Sequence, residues 1–351
     1  MKIAITADLH LTNPTANPER FHALKNILLQ CEKENVDRLI IAGDLFDKDT
    51  NNPAPFELEV SKANLSKLEI ILFPGNHDPK LSLSQFTHPS IKVVESGQYI
   101  QLDDASTSLL LLPYKAGTFM GSELAKYVSA EMGKFVLISH GDWLGGSLKT
   151  NPHEPGSYMP LTAADLRKYQ PTRVFLGHIH IPSADGIVMY PGSPCPLDIT
   201  ETGPRSFILY DSFDNSVKKI LVDSDIVNFI LRHAVIPSEQ EFEQVKTQIT
   251  RFLDEQTYLA KTMAKINLRL VLIGTSRNKN ELVGNVNEFL KKIGLSNTEI
   301  QHDSLLASHD PTLERIAEKV REKIETQVIT NSQYPSTADV LATAMNILYG
   351  E

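Results

Sequence analysis

Five short groups of polar residues, each placed just after an apolar run, carry the chemistry this sequence can do. They are Asp8-Leu9-His10, Gly43-Asp44-Leu45-Phe46-Asp47, Gly75-Asn76-His77-Asp78, His140-Gly141 and Gly177-His178-Ile179-His180. Carboxylates, imidazoles and one amide oxygen are ligands for a divalent first-row metal such as Mn²⁺, Fe²⁺ or Zn²⁺. Seven such groups exceed what one ion can take, and two ions sharing a bridging carboxylate account for them. Such a pair activates a water and clamps the attacking and leaving oxygens of a phosphoryl group. Each group is weak alone, because a D-x-H triplet at a strand end is more often a cap, and a lone H-G or G-D is weaker still. Their conjunction, each after a strand, decides for a metal centre over five unrelated surface features.

The elements that must position them follow from periodicity. Residues 2–7, 38–42, 69–73, 134–139 and 173–176 read as buried strands, and 18–34 and 55–68 as helices, with Phe21, Leu24, Ile27, Leu28 and Cys31 on one face of the first. The β–α–β–α–β order predicts a layered α/β domain, in which the carboxyl ends of strands meet at one edge. Further strands are predicted near 91–94, 98–102, 107–112, 186–190, 205–211 and 216–222, with a helix near 122–131. Residues 141–161 read as a long loop without periodicity, of the kind that is functional or mobile. After about residue 224 the pattern changes to a small β–α–β–α domain, with strands at 226–235 and 264–273 and helices at 238–253 and 280–293. Two helices close the chain, 310–328 and 337–349, separated by Pro335. The expected division is 1–223, 224–305 and 306–351.

The ordered motifs resemble those of the calcineurin-like metallophosphoesterase superfamily over most of residues 1–222. Within it, the opening Thr6-Ala7-Asp8-Leu9-His10-Leu11, the Gly43–Asp47 variant and Tyr190-Pro191-Gly192-Ser193-Pro194 followed by Glu201 are most similar to SbcD-type nucleases of double-strand-break repair. The resemblance implies a layered sandwich of mixed sheets flanked by helices, with a smaller α/β capping domain. It implies that Asp8, His10 and His180 hold one metal, that Asn76, His140 and His178 hold the other, and that Asp44 bridges them. His77 would face the phosphate and assist the leaving oxygen, and Asp47 would orient His77. Mn²⁺ is the metal expected, with Fe²⁺, Zn²⁺ or Mg²⁺ as alternatives. The implied reaction is in-line attack of a bridging hydroxide on a DNA phosphodiester, by an exonuclease or endonuclease. The family's usual partners are DNA, a second copy of the chain and an SbcC-like coiled-coil ATPase bound by terminal helices. The competing readings are a phosphodiesterase or phosphatase acting on nucleotides or small molecules, and a non-catalytic DNA-binding scaffold.

Several other features are weighed against bland readings. Gly141–Thr150 looks like a phosphate-binding P-loop, but Ser147 follows Gly146 and Lys149 comes two residues late, so the match is rejected. Asp78 is as easily a cap of the turn at Pro79. His153 could touch substrate from the 141–161 loop, but a solvated histidine is the favoured reading. Tyr190–Pro194 is either a strand-ending turn or a segment near the cleft that contacts DNA or the C-terminal domain. The stripe Ile316, Val320, Ile324 either packs back on its own domain or docks a partner.

The 351 residues carry a net charge of −9, and no half is basic: 20 Lys and Arg face 26 Asp and Glu over residues 1–223, and 14 face 17 over the remainder. Grip on nucleic acid by bulk charge is therefore excluded, but two divalent ions would add positive charge where phosphate must sit. Cys31 and Cys195 allow at most one disulfide, which fits a reducing compartment. No apolar run approaches the roughly 20 residues of a membrane span, and no signal peptide is apparent, so a cytoplasmic enzyme without membrane contact is expected.

Overall fold

A computed structural model describes residues 1–48, 50, 52–63, 67–102, 107–129, 133–146, 154–256, 263–295, 297–307, 310–326 and 337–349. The chain divides into two compact units. One comprises Met1–Leu197 with Gly203–Ile226, and the other Asp198–Thr202 with Val227–Glu351.

The first unit begins β1 (Lys2–Thr6), α1 (Pro18–Glu34), β2 (Arg38–Ala42), α2 (Ala54–Lys62), β3 (Glu69–Phe73) and β4 (Ile91–Val93). It continues through β5 (Gln98–Gln101), β6 (Thr107–Leu112), α3 (Met120–Tyr127), β7 (Lys134–His140), α4 (Ala163–Tyr169) and β8 (Arg173–Gly177). It ends with β9 (Ser183–Asp185), β10 (Val188–Tyr190), β11 (Ser206–Asp211) and β12 (Ser216–Leu221). These strands form two mixed six-stranded sheets, ordered β12-β11-β1-β2-β3-β4 and β5-β6-β7-β8-β10-β9. Strands β1, β2 and β3 run parallel in the first sheet, and β6, β7 and β8 in the second.

The strands read as continuous apolar runs because both of their faces are covered. On β1, Ile3 and Ile5 point into a core shared with Ile138 and Phe175 of the second sheet, while Ala4 faces α1. Leu24, Ile27 and Leu28 of α1 and Phe56 and Val60 of α2 cover the outer face of the first sheet. Met120 and Leu124 of α3 and Leu166 of α4 cover that of the second. The result is the expected helix–sheet–sheet–helix layering. Helix α4 escapes periodicity because it is only two turns long; its signal is Thr162 followed three residues later by Asp165, which make a capping box. Helix α3 ends at Tyr127, short of the expected 131.

The second unit contains β13 (Val227–Val235), α5 (Glu241–Glu255), β14 (Ile266–Ser276), α6 (Lys279–Lys292), β15 (Thr298–Gln301), β16 (Leu305–Ala307), α7 (Pro311–Glu325) and α8 (Thr337–Tyr349). All pairings among its four strands are parallel. Period-two alternation along β14 divides its faces. Leu268, Leu270 and Leu272 meet Val245, Ile249 and Leu253 of α5 and Leu282, Val286 and Leu290 of α6. On the other face Ile273 and Ala234 pack with Leu341 and Ile324. Val320 packs with Ile236, Ala317 and Met345, and Ile316 remains exposed. Most of the α7 stripe is thus used within its own unit, and the terminal helices belong to that unit instead of standing as a third segment. The short β15 and β16 were not anticipated, since three or four residues carry too little pattern. Among the described residues no helix is long and apolar enough to cross a membrane.

Ile40 on β2 is fully buried between the two sheets. Ile40→Ala should cost about 2–5 kcal/mol, read as a lower urea midpoint; an unchanged midpoint would contradict this core.

Candidate metal centre

All nine residues singled out by the motifs converge at the carboxyl ends of five strands. β1 delivers Asp8 and His10, β2 delivers Asp44 and Asp47, and β3 delivers Asn76 and His77. β7 ends on His140, and β8 leads into His178 and His180. The first two loops run side by side, with His10 N donating to Asp44 O (3.0 Å) and Leu11 N to Leu45 O (2.9 Å). The bends are tight enough to hold Asp8 (φ 55°), His10 (φ 45°), Asp44 (φ 50°) and His178 (φ 98°) in left-handed backbone conformations. Each costs about 1–3 kcal/mol, and such strain persists where surrounding structure over-determines it.

Asp8 and Asp44 are almost wholly buried. Asp8 accepts from His178 N (2.9 Å), and Asp44 from His77 N (2.8 Å). Asp44 Oδ2 lies 3.4 Å from His140 Nε2 and 3.7 Å from His10 Nε2, placing this carboxylate between the two groups of imidazoles. His140 Nδ1–H donates to Ala42 O (2.9 Å), which turns Nε2 toward Asn76 Oδ1 at 2.8 Å. His178 Nδ1 lies 3.1 Å from the same amide oxygen. Ligand atoms of Asp8, His10 and His180 lie within 4.8 Å of one another, as do those of Asp8, Asp44 and His140, and of His10, Asp44 and His77.

The residues fit a metal pair on the structure's own terms. His10 Nε2 is buried with no hydrogen-bond partner among the described residues. Carboxylate, amide and imidazole acceptor atoms face one another where only a cation, a proton or a metal, can sit between them. In the chain without metal a proton takes that place: burial disfavours charge on His140, but Asp44 outweighs it and lifts the pKa to about 9. His178, by contrast, is held neutral by burial and by the nearby His140, near 3.

Around this pocket stand residues that hold it. Asp47 Oδ1 accepts from His77 Nδ1 (3.1 Å), and Asp47 Oδ2 from Arg20 Nη1 of α1 (3.3 Å). Arg20 also donates to His10 O. Asp78 accepts from Gly75 N (2.8 Å) and Phe46 N (3.1 Å), so it ties two ligand loops together instead of capping the turn at Pro79. The Tyr190–Pro194 segment is buried; Tyr190 Oη donates to Gly141 O (2.9 Å) and Ser193 N to His180 O (3.0 Å). Arg205, also buried, donates to the same His180 carbonyl (2.8 Å).

Glu154 is a further residue of this site, and no motif pointed to it. One of its oxygens accepts from His77 Nε2 and the other from Asn76 Nδ2 (2.8 Å). Its only signal was its position in the aperiodic 141–161 loop. His77 is thus bracketed by Asp47 and Glu154, which overcome burial and raise its pKa to about 10, while Glu154 is drawn down to about 2 despite its burial. His153, like Ser147, Lys149 and Thr150, lies outside the described residues.

With these motifs in place, the whole of residues 1–209 matches the calcineurin-like phosphoesterase family. The chain belongs to that family. This phosphoesterase therefore has a dinuclear divalent-metal site and hydrolyses phosphoesters in a metal-dependent way. It is similar to the uncharacterized metallophosphoesterase YhaO of Bacillus subtilis, 25% identical over 299 residues that span 77% of this chain and 71% of the relative. Among solved structures it resembles purple acid phosphatase PPD1 from yellow lupin (Lupinus luteus) seeds, at 14% identity and TM-score 0.40, over 63% of this chain and 51% of that one. A dimetal phosphatase from Danio rerio matches at 11% identity and TM-score 0.40, over 63% and 96%. Likenesses this distant do not bear on substrate.

Two outcomes follow for the phosphoesterase. A Cβ on Gly75 would lie 2.1 Å from Asp44 Oδ1. Gly75→Ala should therefore lower bound metal below two ions per chain by elemental analysis; full occupancy would refute the packing. The raised pKa values of His77 and His140 stabilise the metal-free fold fully below their unfolded value of about 6.5, and that stability is lost as pH rises through about 9 to 10. EDTA-treated protein should melt at lower temperature at pH 10.5 than at pH 7, by a smaller margin in His77→Asn.

Proposed function

We propose that this phosphoesterase is a nuclease of SbcD type that hydrolyses phosphodiester bonds in DNA, with Mn²⁺ as its metal. The observation that carries the reading is His77. It stands at the rim of the metal pocket, half of its ring engaged by Asp47 and the other nitrogen aimed outward to a carboxylate acceptor. A diester leaves as an alkoxide, which needs a proton or a positive charge at the departing oxygen, and a histidine oriented by Asp47 beside the pocket is placed to meet that need. Two divalent ions, when bound, supply Lewis acidity and activate water.

The chain's own residues do the rest. Asp8, His10 and His180 would hold one ion and Asn76, His140 and His178 the other, with Asp44 shared between them. Asp47, itself braced by Arg20, keeps the His77 ring in one orientation. Tyr190, Ser193 and Arg205 fix the carbonyls beside His140 and His180, so that the imidazoles do not swing when phosphate enters. The nuclease reading over a small-molecule phosphodiesterase rests on the opening Thr6–Leu11 motif, the Tyr190–Pro194 segment and a second α/β unit after the phosphoesterase unit. It carries with it a dimer and an SbcC-like ATPase as partners, with the exposed Ile316 and the charged face of α7 as the docking surface.

The Mn²⁺-loaded protein should cleave linear duplex or single-stranded DNA as well as bis-p-nitrophenyl phosphate. Cleavage of the small diester with all linear and circular DNAs left intact would replace the nuclease with a small-molecule phosphodiesterase. His77→Ser should lower kcat by about 10²–10⁴-fold while elemental analysis shows the metal retained; wild-type turnover would remove the role given to His77.

A further inference from the structure

His77 Nε2 and Asn76 Nδ2 are hydrogen-bond donors beside the metal pocket. Both are taken by one side chain, Glu154. The Asn76 amide has no freedom to turn away, because its oxygen already faces His140 Nε2 (2.8 Å) and His178 Nδ1 (3.1 Å). Glu154 therefore presents two oxygens, one negative charge and a planar bidentate geometry to the donors that a phosphoryl group would use. Its side chain is 12% exposed, and Oε2 comes within 3.7 Å of His178 Nδ1, so it reaches inward and not along the surface. Lys48, 62% exposed, lies 3.9 Å from Oε1 and gives the same carboxylate a cation on the solvent side.

We infer that Glu154 is a specificity-determining residue that occupies the phosphate position and must be displaced by substrate. The inference rests on the function proposed above and adds a selection rule to it. A small phosphate ester has only its phosphoryl oxygens with which to compete against a carboxylate already held by two donors. A longer polyanion brings binding energy from contacts elsewhere and can spend it on displacing the carboxylate. Glu154 thereby disfavours free phosphate and small esters without altering the metal ligands.

The test is calorimetric titration of inorganic phosphate into the full-length Mn²⁺-loaded protein, wild type against Glu154→Gln, with metal content measured on both. Glu154→Gln keeps the shape and removes the charge, and Glu154→Ala removes the occupant altogether. Phosphate affinity should rise about tenfold or more in both variants, as expected when a like charge is removed from direct contact with the anion. The KM for bis-p-nitrophenyl phosphate should fall in parallel while metal stoichiometry stays at the wild-type value. Unchanged or weaker phosphate binding with full metal content overturns the inference, and so does loss of metal in Glu154→Gln, which would make the residue a support of the ligand set. The two levels separate cleanly. A wild-type protein that cleaves linear DNA while Glu154→Gln shows no gain in phosphate affinity defeats only the inference. A wild-type protein that cleaves neither DNA nor the diester, with no gain in phosphate affinity in Glu154→Gln, defeats both.

Discussion

The burial of Asp8 and Asp44 side by side is the constraint on which the first unit depends. Two carboxylates removed from water cannot both stay charged without cations beside them. The fold answers with imidazoles on every side and with backbone N–H groups, from His178 to Asp8 and from His77 to Asp44. That solution leaves acceptor atoms facing one another and the buried Nε2 of His10 without a hydrogen-bond partner among the described residues. A pocket of this kind is unsatisfied by the chain alone and satisfied by divalent metal. Stability and metal affinity are therefore two readings of one interaction.

Holding that pocket requires both sheets. The candidate ligands from Asp8 to Asn76 come from β1, β2 and β3, and the remaining histidines from β7 and β8. The apolar layer between the sheets, with cross-sheet hydrogen bonds from His178 N to Asp8 and from His140 Nδ1 to Ala42 O, keeps the two sets in register. Close approach has a local cost as well. Gly43 is held at φ +86°, and a Cβ there would lie 2.3 Å from His140 Nδ1, so the loop carrying the central Asp44 can pass the histidine only as glycine. Residues outside the candidate ligand set brace its loops: Arg20 at His10 O, Asp78 at Gly75 N and Phe46 N, Tyr190 at Gly141 O, and Ser193 and Arg205 at His180 O. These make the site a rigid receptacle, as preorganised electrostatic stabilisation of phosphoryl transfer demands.

The acidic surface and the anionic substrate class are compatible for the same reason. Attraction for phosphate in this protein is concentrated at a buried pocket and its His77 rim, not spread over a basic face. A carboxylate at that rim, Glu154, then has a disproportionate effect on what enters. The second unit contributes a parallel sheet covered by helices on both faces.

The sequence by itself determined the candidate site residues, their order and the layered α/β fold. Metal chemistry restricts the residue types, and strand ends restrict their spacing, so Asp8, His10, Asp44, Asn76, His77, His140, His178 and His180 were all legible, as was Asp47 from its place three residues past Asp44. Long helices were legible because their period repeats several times, and the central strands because each is a continuous apolar run ending in a motif; α4, β9, β15 and β16 are short and carry neither signal. Tertiary structure alone decided the supporting cast. Arg20 reaches Asp47 across 27 positions, Tyr190 reaches Gly141 across 49, and Glu154 reaches His77 across 77. Asp78, adjacent to a ligand, turned out to tie loops together. Such contacts have no period and no characteristic spacing, because chain folding and not local geometry brings the partners together, so only the assembled fold could reveal them.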